Sequence, residues 1–373
     1  MSQNWMRHFE LQILDQNGAG ISLSEFKVTF DIERNDNRWP ATALIKIYNL
    51  SKNTQSRIQG KEFSRIILIA GYDGIAPDVK ASEVGVAREI APDQVGHTDG
   101  QNFGVIFSGQ IRFTVTGKDN GTDSWLKIQA CDGEDAFHNA VINATLSKGY
   151  TQRDVYNLLM EQLKPYGISS GVVPVFPATV YPRGATFYGY VRDYLTDLAD
   201  LCEATWQFSY GKVDIIQKKV AKHQAVVLNA NTGLIGMPQQ TIGAGVNVKC
   251  LINSNIQLHG LIQLDQTSVY RAQLSNQDIF SGRFTEKDVN GNLVATSPIR
   301  DVNGKLVRDA NGNLVEAPAT QQPASVSTDG TYIVRFINYT GDTRGQAWYM
   351  DLVCEAAGAA DVYSSSFLQK VPS

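Results

Sequence analysis

Residues Phe26–Asp73 read FKVTFDIERNDNRWPATALIKIYNLSKNTQSRIQGKEFSRIILIAGYD, and their alternation decides the fold class. Phe26, Val28, Phe30 and Ile32 fall on one face, with Lys27, Thr29, Asp31 and Glu33 on the other. Ala43, Ile45 and Ile47 alternate in the same way with Leu44, Lys46 and Tyr48. Ile66, Leu68 and Ala70 alternate with Ile67 and Ile69, so both faces of that third segment are apolar. Period-two patterning rich in β-branched and aromatic residues predicts strands. Asn35-Asp36-Asn37 with Pro40 makes the first connection, because Asn and Asp accept turn geometry and Pro cannot donate to a ladder. Ser51 is placed to cap a short helix reaching Ile58. Strand, turn, strand, short helix, strand is the opening of a β-barrel or sandwich, not of a nucleotide fold.

Working outward, Phe9–Leu14 predicts a further strand ahead of the turn at Asn17-Gly-Ala-Gly20. Residues 73–102 carry little pattern and are long for an unstructured loop, which points to a functional, mobile or β-extended segment. Strand alternation returns over Gly104–Thr116, where Gly109 marks a bulge or bend. The Asn-Gly turn in Lys118–Thr122 leads to a partner strand over Trp125–Cys131.

The middle of the chain changes character. Val155, Leu158, Leu159 and Leu163 follow helical spacing behind Thr151, which forms a capping-box pattern with Asp154, and Pro165 and Gly167 end that helix. A second helix is predicted over about Gly189–Glu203, then a hairpin from Trp206 to Ile216 turning at Gly211. Beyond Gly233 the β pattern resumes at Val246–Leu251, Leu261–Asp265, Thr331–Asn338 and Gln346–Cys354. The expected organisation is therefore mainly β with an α+β middle: 1–145, 146–225 and 226–373, the last carrying an insertion at about 275–328.

At 373 residues the chain exceeds one ordinary core. Its 33 basic and 37 acidic residues give a net charge of -4, which offers no electrostatic case for direct nucleic-acid readout. No run approaches the length of a membrane span or a signal peptide, so synthesis and assembly in a cytoplasm are expected. Cys131, Cys202, Cys250 and Cys354 lie far apart within apolar stretches and read as buried, reduced thiols.

The insertion repeats one unit three times: Asp288-Val-Asn-Gly, Asp301-Val-Asn-Gly and Asp309-Ala-Asn-Gly, each followed by x-Leu-Val. A calcium loop needs Gly at position six and Glu at twelve. Here the Gly stands at four, and position twelve is Ile299, Gly312 or Thr320. Asn290-Gly291, Asn303-Gly304 and Asn311-Gly312 instead predict hairpin turns, which we expect to project toward a partner. The five histidines show no zinc spacing, Gly243-Ala-Gly245 lacks the third Gly and helix of a dinucleotide loop, and no Gly-x-Ser-x-Gly elbow occurs. No cofactor or metal is expected, and no catalytic residue is assigned.

Stretches at both ends of the chain carry a resemblance to a known family. Phe30–Glu33 with Ala43–Ser51 (including Asn49-Leu50), Leu68–Asp73 (including Gly71-Tyr72), Ile106–Ile111 (including Gly109) and Ala130–Gly133 (ending Asp132-Gly133) resemble the N-terminal domain of baseplate hub proteins of tailed bacteriophages, the late control protein D type. Asp329–Tyr332, then Gly341–Gly345 with Asp342 and Arg344, and Trp348 are similar to that family's last barrel. The resemblance implies two hub-type β-barrels flanking the α+β module. It also implies a structural virion protein, a homotrimer joining the six-fold tail tube to the three-fold central spike of a contractile tail. The partners implied are the tube or tube-initiator protein, the spike and other baseplate (wedge) proteins, with the protein located in the virion baseplate after assembly in the bacterial cytoplasm. A tail-associated carbohydrate- or receptor-binding module, and a cell-wall-degrading tail enzyme, are the alternative readings.

Overall fold

Burial follows the alternation of the opening stretch. Val28, Phe30 and Ile32 point inward, and the next inward position is occupied by Arg34. The computed structural model describes residues 6–60, 62–73, 88–90, 102–217, 225–230, 232–240, 246–264, 286–287, 293–294 and 330–357.

The first part of the chain forms β1 (Arg7–Leu14), β2 (Gly20–Ser22), β3 (Val28–Asn35), β4 (Thr42–Tyr48), α1 (Lys52–Gln59), β5 (Arg65–Tyr72), β6 (Arg88–Ile90), β7 (Asn102–Lys118) and β8 (Ser124–Cys131). The middle forms α2 (Glu134–Asn139), β9 (Val141–Leu146), α3 (Gln152–Leu163), β10 (Ser169–Ser170), β11 (Ala185–Tyr190), α4 (Val191–Leu201), β12 (Ala204–Ser209) and β13 (Lys212–Gln217). The last part forms β14 (Val226–Leu228), β15 (Gln239–Gln240), β16 (Val246–Leu251), β17 (Leu261–Leu264), β18 (Glu286–Lys287), β19 (Leu293–Val294), β20 (Thr331–Asp342) and β21 (Trp348–Ala356).

The fold is mainly β. One sheet runs in the order β15-β16-β21-β20-β3-β4-β8-β7-β5-β1-β2-β6, with β17 also paired to β20 and β14 to β17. This path does not close on itself among the described strands. β20 makes the sheet continuous between the two ends of the chain. Its residues Phe336–Asp342 pair antiparallel with β3, while Thr331–Ile333 pair with β17. One apolar core therefore contains Ile32, Ile45 and Ile128 from the first part and Val248, Tyr332 and Met350 from the last. Each such side chain taken fully out of water contributes about 1.5–3 kcal/mol. β5, apolar on both faces, uses both: Ile66 and Leu68 enter this core, and Ile67 and Ile69 pack with Leu14, Phe103 and Val105.

Local signals account for the punctuation. Ser51 caps α1 by accepting the Thr54 N–H at 3.1 Å, a contact worth about 1 kcal/mol. Thr151 and Asp154 close the capping box of α3, the carboxylate accepting the Thr151 N–H at 2.8 Å. Tyr210 and Gly211 both take positive φ, 54° and 76°, as the tight turn between β12 and β13 requires. At Gly109 an added Cβ would lie 2.5 Å from the Cys131 carbonyl oxygen, and the β7–β8 register shifts soon after, between Ile111 and Phe113. All four cysteines are buried and free.

The middle elements close a second core, in which Phe137, Leu159, Leu195, Trp206 and Ile215 meet. Within the stretch 73–102, β6 pairs with β2, Gly20 opposite Ile90. The first Asp-x-Asn-Gly unit is bracketed by β18 and β19, paired antiparallel with Glu286 opposite Val294. Asn290, Gly291, Asn303, Gly304, Asn311 and Gly312 themselves lie outside the described residues. No helix among the described residues is long and apolar enough to cross a membrane.

Candidate functional site

The residues singled out in the sequence fall into three places, each where separate elements meet. The first is a corner built by both ends of the chain. Trp348, at the start of β21, donates from Nε1 to the Gly71 carbonyl on β5 at 3.3 Å. Its ring meets Phe30 edge-on at 5.5 Å and Phe9 at 6.3 Å. Arg7 lies over the same ring at 5.4 Å and donates to the carbonyls of Asp342, Gly345 and Gln346 at 3.1, 2.6 and 3.0 Å. The guanidinium thereby gathers three carbonyls of the β20–β21 turn, alongside the turn's own bonds from the Gly345 N–H to the Asp342 carbonyl and from the Asp342 N–H to the Ala347 carbonyl. Arg344 donates to the Glu25 carbonyl at 2.9 Å, and Asp342 accepts the Arg344 N–H at 2.9 Å. Tyr72 is buried beside this corner, and burial pushes its phenol pKa up to about 12.

The second place holds Asn49 and Leu50. Asn49 sits at φ 56°, a left-handed conformation that Asn tolerates better than most residues. Its side chain accepts the Ser124 N–H at 3.0 Å and donates to Asp123 at 3.3 Å, tying the end of β4 to the β7–β8 hairpin. Leu50 is buried in the main core. Asn49, Asp119, Asp123, Lys27 and Arg344 line an open groove at this end of the sheet. Hydrogen bonds from Asn120 and Asn49 hold the Asp123 pKa below the usual carboxylate range, and the bond from Lys46 does the same for Asp119.

The third place is the joint between the two cores. Asp132, 2% exposed, accepts the Tyr210 N–H at 2.6 Å and the Gly211 N–H at 3.2 Å. Gly133, at φ 69°, starts α2 and lies against Phe208, whose ring an added Cβ would meet at 2.7 Å. Arg34 stacks over the Tyr210 ring at 4.1 Å and donates to Ser209 at 3.2 Å. Burial pushes the Asp132 pKa up, against the opposing pull of Arg34 and the two N–H donors. A small, partly open cavity lies beside this joint, lined among others by Arg65, Ser108, Gln110 and Asp132. Arg38 and Asp200 form an ion pair across the joint.

One cluster at this junction had no motif to announce it. His259, fully buried at φ 61°, places Nε2 3.2 Å from Asp36 and Nδ1 3.2 Å from Arg335. Arg335 also pairs with Asp36 at 3.1 Å and Glu355 at 2.7 Å. A guanidinium can only donate, so Nδ1 is the acceptor toward Arg335, while Nε2 stands 3.2 Å from Asp36 without a formed hydrogen bond. Burial disfavours the Asp36 charge, but His259 and Arg335, with Thr205 from β12, outweigh it and lower its pKa. These arrangements fasten strands and cores together. No set of three or more His, Cys, Asp or Glu among the described residues is arranged to hold a metal ion.

No family model matches the sequence, and no curated protein matches it either. Solved structures do. The 43 kDa tail protein of prophage MuSo2 from Shewanella oneidensis is 10% identical, with a TM-score of 0.45 over 94% of this chain and 97% of that one. A tail protein from Neisseria meningitidis MC58 is 8% identical, with a TM-score of 0.49 over 95% of this chain and 98% of that one. The E. coli c3393 protein is described as a component of the type VI secretion system similar to the T4 bacteriophage tail proteins gp27 and gp5. It is 8% identical, with a TM-score of 0.46 over 96% of this chain and 77% of that one.

Proposed function

We propose that this chain is a structural tail protein, a baseplate hub that assembles as a homotrimer between a six-fold tube and a three-fold spike. One observation carries the reading. The residues on which the resemblance to hub proteins rests come from opposite ends of the sequence, and Gly71, Tyr72, Asp342 and Trp348 converge on one corner. Chance matches scattered over 373 residues have no reason to meet. Their roles there are packing and hydrogen bonding, which is what a scaffold asks of them.

In this reading the two arcs of the sheet, β16–β21–β20 and β3–β4–β8–β7–β5–β1, correspond to two hub-type barrel units held together by the β20–β3 ladder. The reaction repertoire is empty: the protein works by its surfaces, without cofactor or catalytic step. Its partners are the tube or tube-initiator protein, the central spike and other baseplate proteins, in a virion assembled in the host cytoplasm. The three Asp-x-Asn-Gly units contact a neighbouring baseplate component, and deleting residues 286–317 should abolish baseplate assembly; assembly and infectivity left intact would overturn this contact.

Light scattering on a sizing column tests the core of the proposal. The expected mass is three times 41.0 kDa for the chain alone, or a larger complex containing three copies when it is co-expressed with the tube and spike proteins. A chain that stays monomeric and also fails to co-purify with either partner overturns it.

A further inference from the structure

The ribbon formed by β9 and β11 has two unlike edges. Its ladder pairs Leu146 with Ala185, Ala144 with Phe187 and Ile142 with Gly189, and the Val191 N–H extends it onto the Ala140 carbonyl at 3.0 Å. In an antiparallel pair, alternate residues turn their N–H and C=O toward the partner strand and the residues between turn theirs away. The Val191–Ala140 bond sets the phase. Ala140, Ile142, Ala144 and Leu146 bond inward, and Val141, Asn143 and Thr145 present their backbone groups outward.

On β11 the outward position opposite Asn143 is Tyr188, and there the edge is already closed. The Tyr194 hydroxyl accepts the Tyr188 N–H at 2.9 Å and donates to the Tyr188 carbonyl at 3.2 Å. β9 has no such cap among the described residues. The usual protections of an open edge are a lysine, a proline, a bulge or a covering element. The strand Val-Ile-Asn-Ala-Thr-Leu contains no lysine or proline and pairs with β11 without a register shift. The outward side chains add nothing repulsive. Val141, Tyr188 and Tyr190 are 58%, 77% and 43% exposed, and Asn143, Thr145 and Thr186 beside them are exposed and uncharged. The other face is anchored, with Ile142 and Phe187 buried in the second core, so the edge is preformed.

We propose that β9 is a strand acceptor, and that an extended segment of a partner polypeptide adds to it as a third strand. The segment bonds the backbone of Val141, Asn143 and Thr145 and sets uncharged side chains beside their row. A second copy of β9 is the poorer occupant. Six residues paired with six bury far less than the about 1,200 Å² that a stable dimer needs, whereas a partner anchored elsewhere has no such requirement. The assignment rests on edge geometry and stands apart from the tail reading.

The test uses the purified full chain and a capped octapeptide alternating Thr and Val, kept monomeric, with amide hydrogen exchange as readout. We expect the peptide to slow exchange at Asn143 and Thr145 by about tenfold while Tyr188 is unchanged, and the effect to vanish with prolines at the peptide's bonding positions. Asn143→Pro removes the central donor and abolishes the slowing. If that variant does not fold, Asn143→Lys with Thr145→Lys keeps the backbone and weakens binding by placing charge in the uncharged row. Exchange at both amides that the peptide leaves unaltered, or slowing that survives Asn143→Pro, overturns the proposal. So does concentration-dependent dimerisation of the chain alone that Asn143→Pro abolishes, which would put a second copy on the edge.

Discussion

The Asp132 carboxylate, at the end of a strand in one core, accepts the backbone N–H of Tyr210 at the tip of a hairpin in the other, at 2.6 Å. Arg34 stacks on that same tyrosine, so a buried guanidinium and a buried carboxylate from the first sheet both hold the hairpin tip of the second core. Replacing Asp132 by Ala strands the Arg34 charge and two N–H donors in a dry environment. We expect a loss of about 3–5 kcal/mol, measured by urea unfolding. Arg34→Met combined with Asp132→Asn should recover part of that loss, because no unpaired charge is then left. A single-mutant loss near zero would show that the joint is wet.

Two glycines give a matched pair of substitutions. At Gly71 the φ of 153° is unfavourable for any side chain, and a Cβ would fall on the Asn102 carbonyl of the adjacent strand. At Gly121 nothing lies within 4 Å of where a Cβ would sit. Gly71→Ala should lower the melting temperature markedly or prevent folding, while Gly121→Ala should leave it within a degree or two, about the effect of a neutral surface change. Equal effects would mean that the β5–β7 approach at Gly71 is looser than described.

Asp36 and Asp132 should respond to acid with opposite signs. The Asp36 pKa is lowered from 3.8, so its stabilising contribution is present above that value and is lost as pH falls through the lowered one. The Asp132 pKa is raised from 3.8, so its contribution is full below that value and is lost as pH rises through the raised one. Asp36→Asn should therefore flatten the acid side of the stability profile, read as urea midpoints between about pH 6 and about pH 3. An unchanged acid slope would show that the His259–Arg335 cluster does not hold the Asp36 charge.

How much of this could be read from the chain depended on the range of each interaction. Alternation placed β3, β4, β5, β7 and β8, and the Ser51 and Thr151 caps placed α1 and α3, because those signals act within a few residues. The β20–β3 ladder that joins the ends of the chain had no signal. Pairing of remote strands depends on faces that any apolar strand presents. Arg34 illustrates the limit most clearly. It occupies an inward position that alternation reserves for an apolar residue, and its partners, Tyr210 and Asp132, come from elements far along the chain. α2 was missed because six residues are too few for helical periodicity, and its only local mark is the left-handed Gly133 before it. Asn49, Gly71, Asp132 and Trp348 were singled out by resemblance, and only the fold shows that they sit where elements join.

Trp348 offers the sharpest separation of contact types at the corner between the chain ends. Trp348→Phe keeps an aromatic body against Phe9 and Phe30 but removes the Nε1 donor, leaving the Gly71 carbonyl short of a partner. That costs about 1–3 kcal/mol for the unsatisfied buried group. Trp348→Ala removes the ring as well, at 2% exposure, and should cost about 3–5 kcal/mol in total. It also takes away the surface beneath Arg7, whose three bonds to the β20–β21 turn then lose their brace. The difference between the two variants therefore measures the apolar share of the corner and the phenylalanine variant its polar share. If both unfold at the same urea concentration as the parent, the Trp348 contacts add nothing to holding the two ends of the chain together, and the convergence at Trp348 loses its structural meaning.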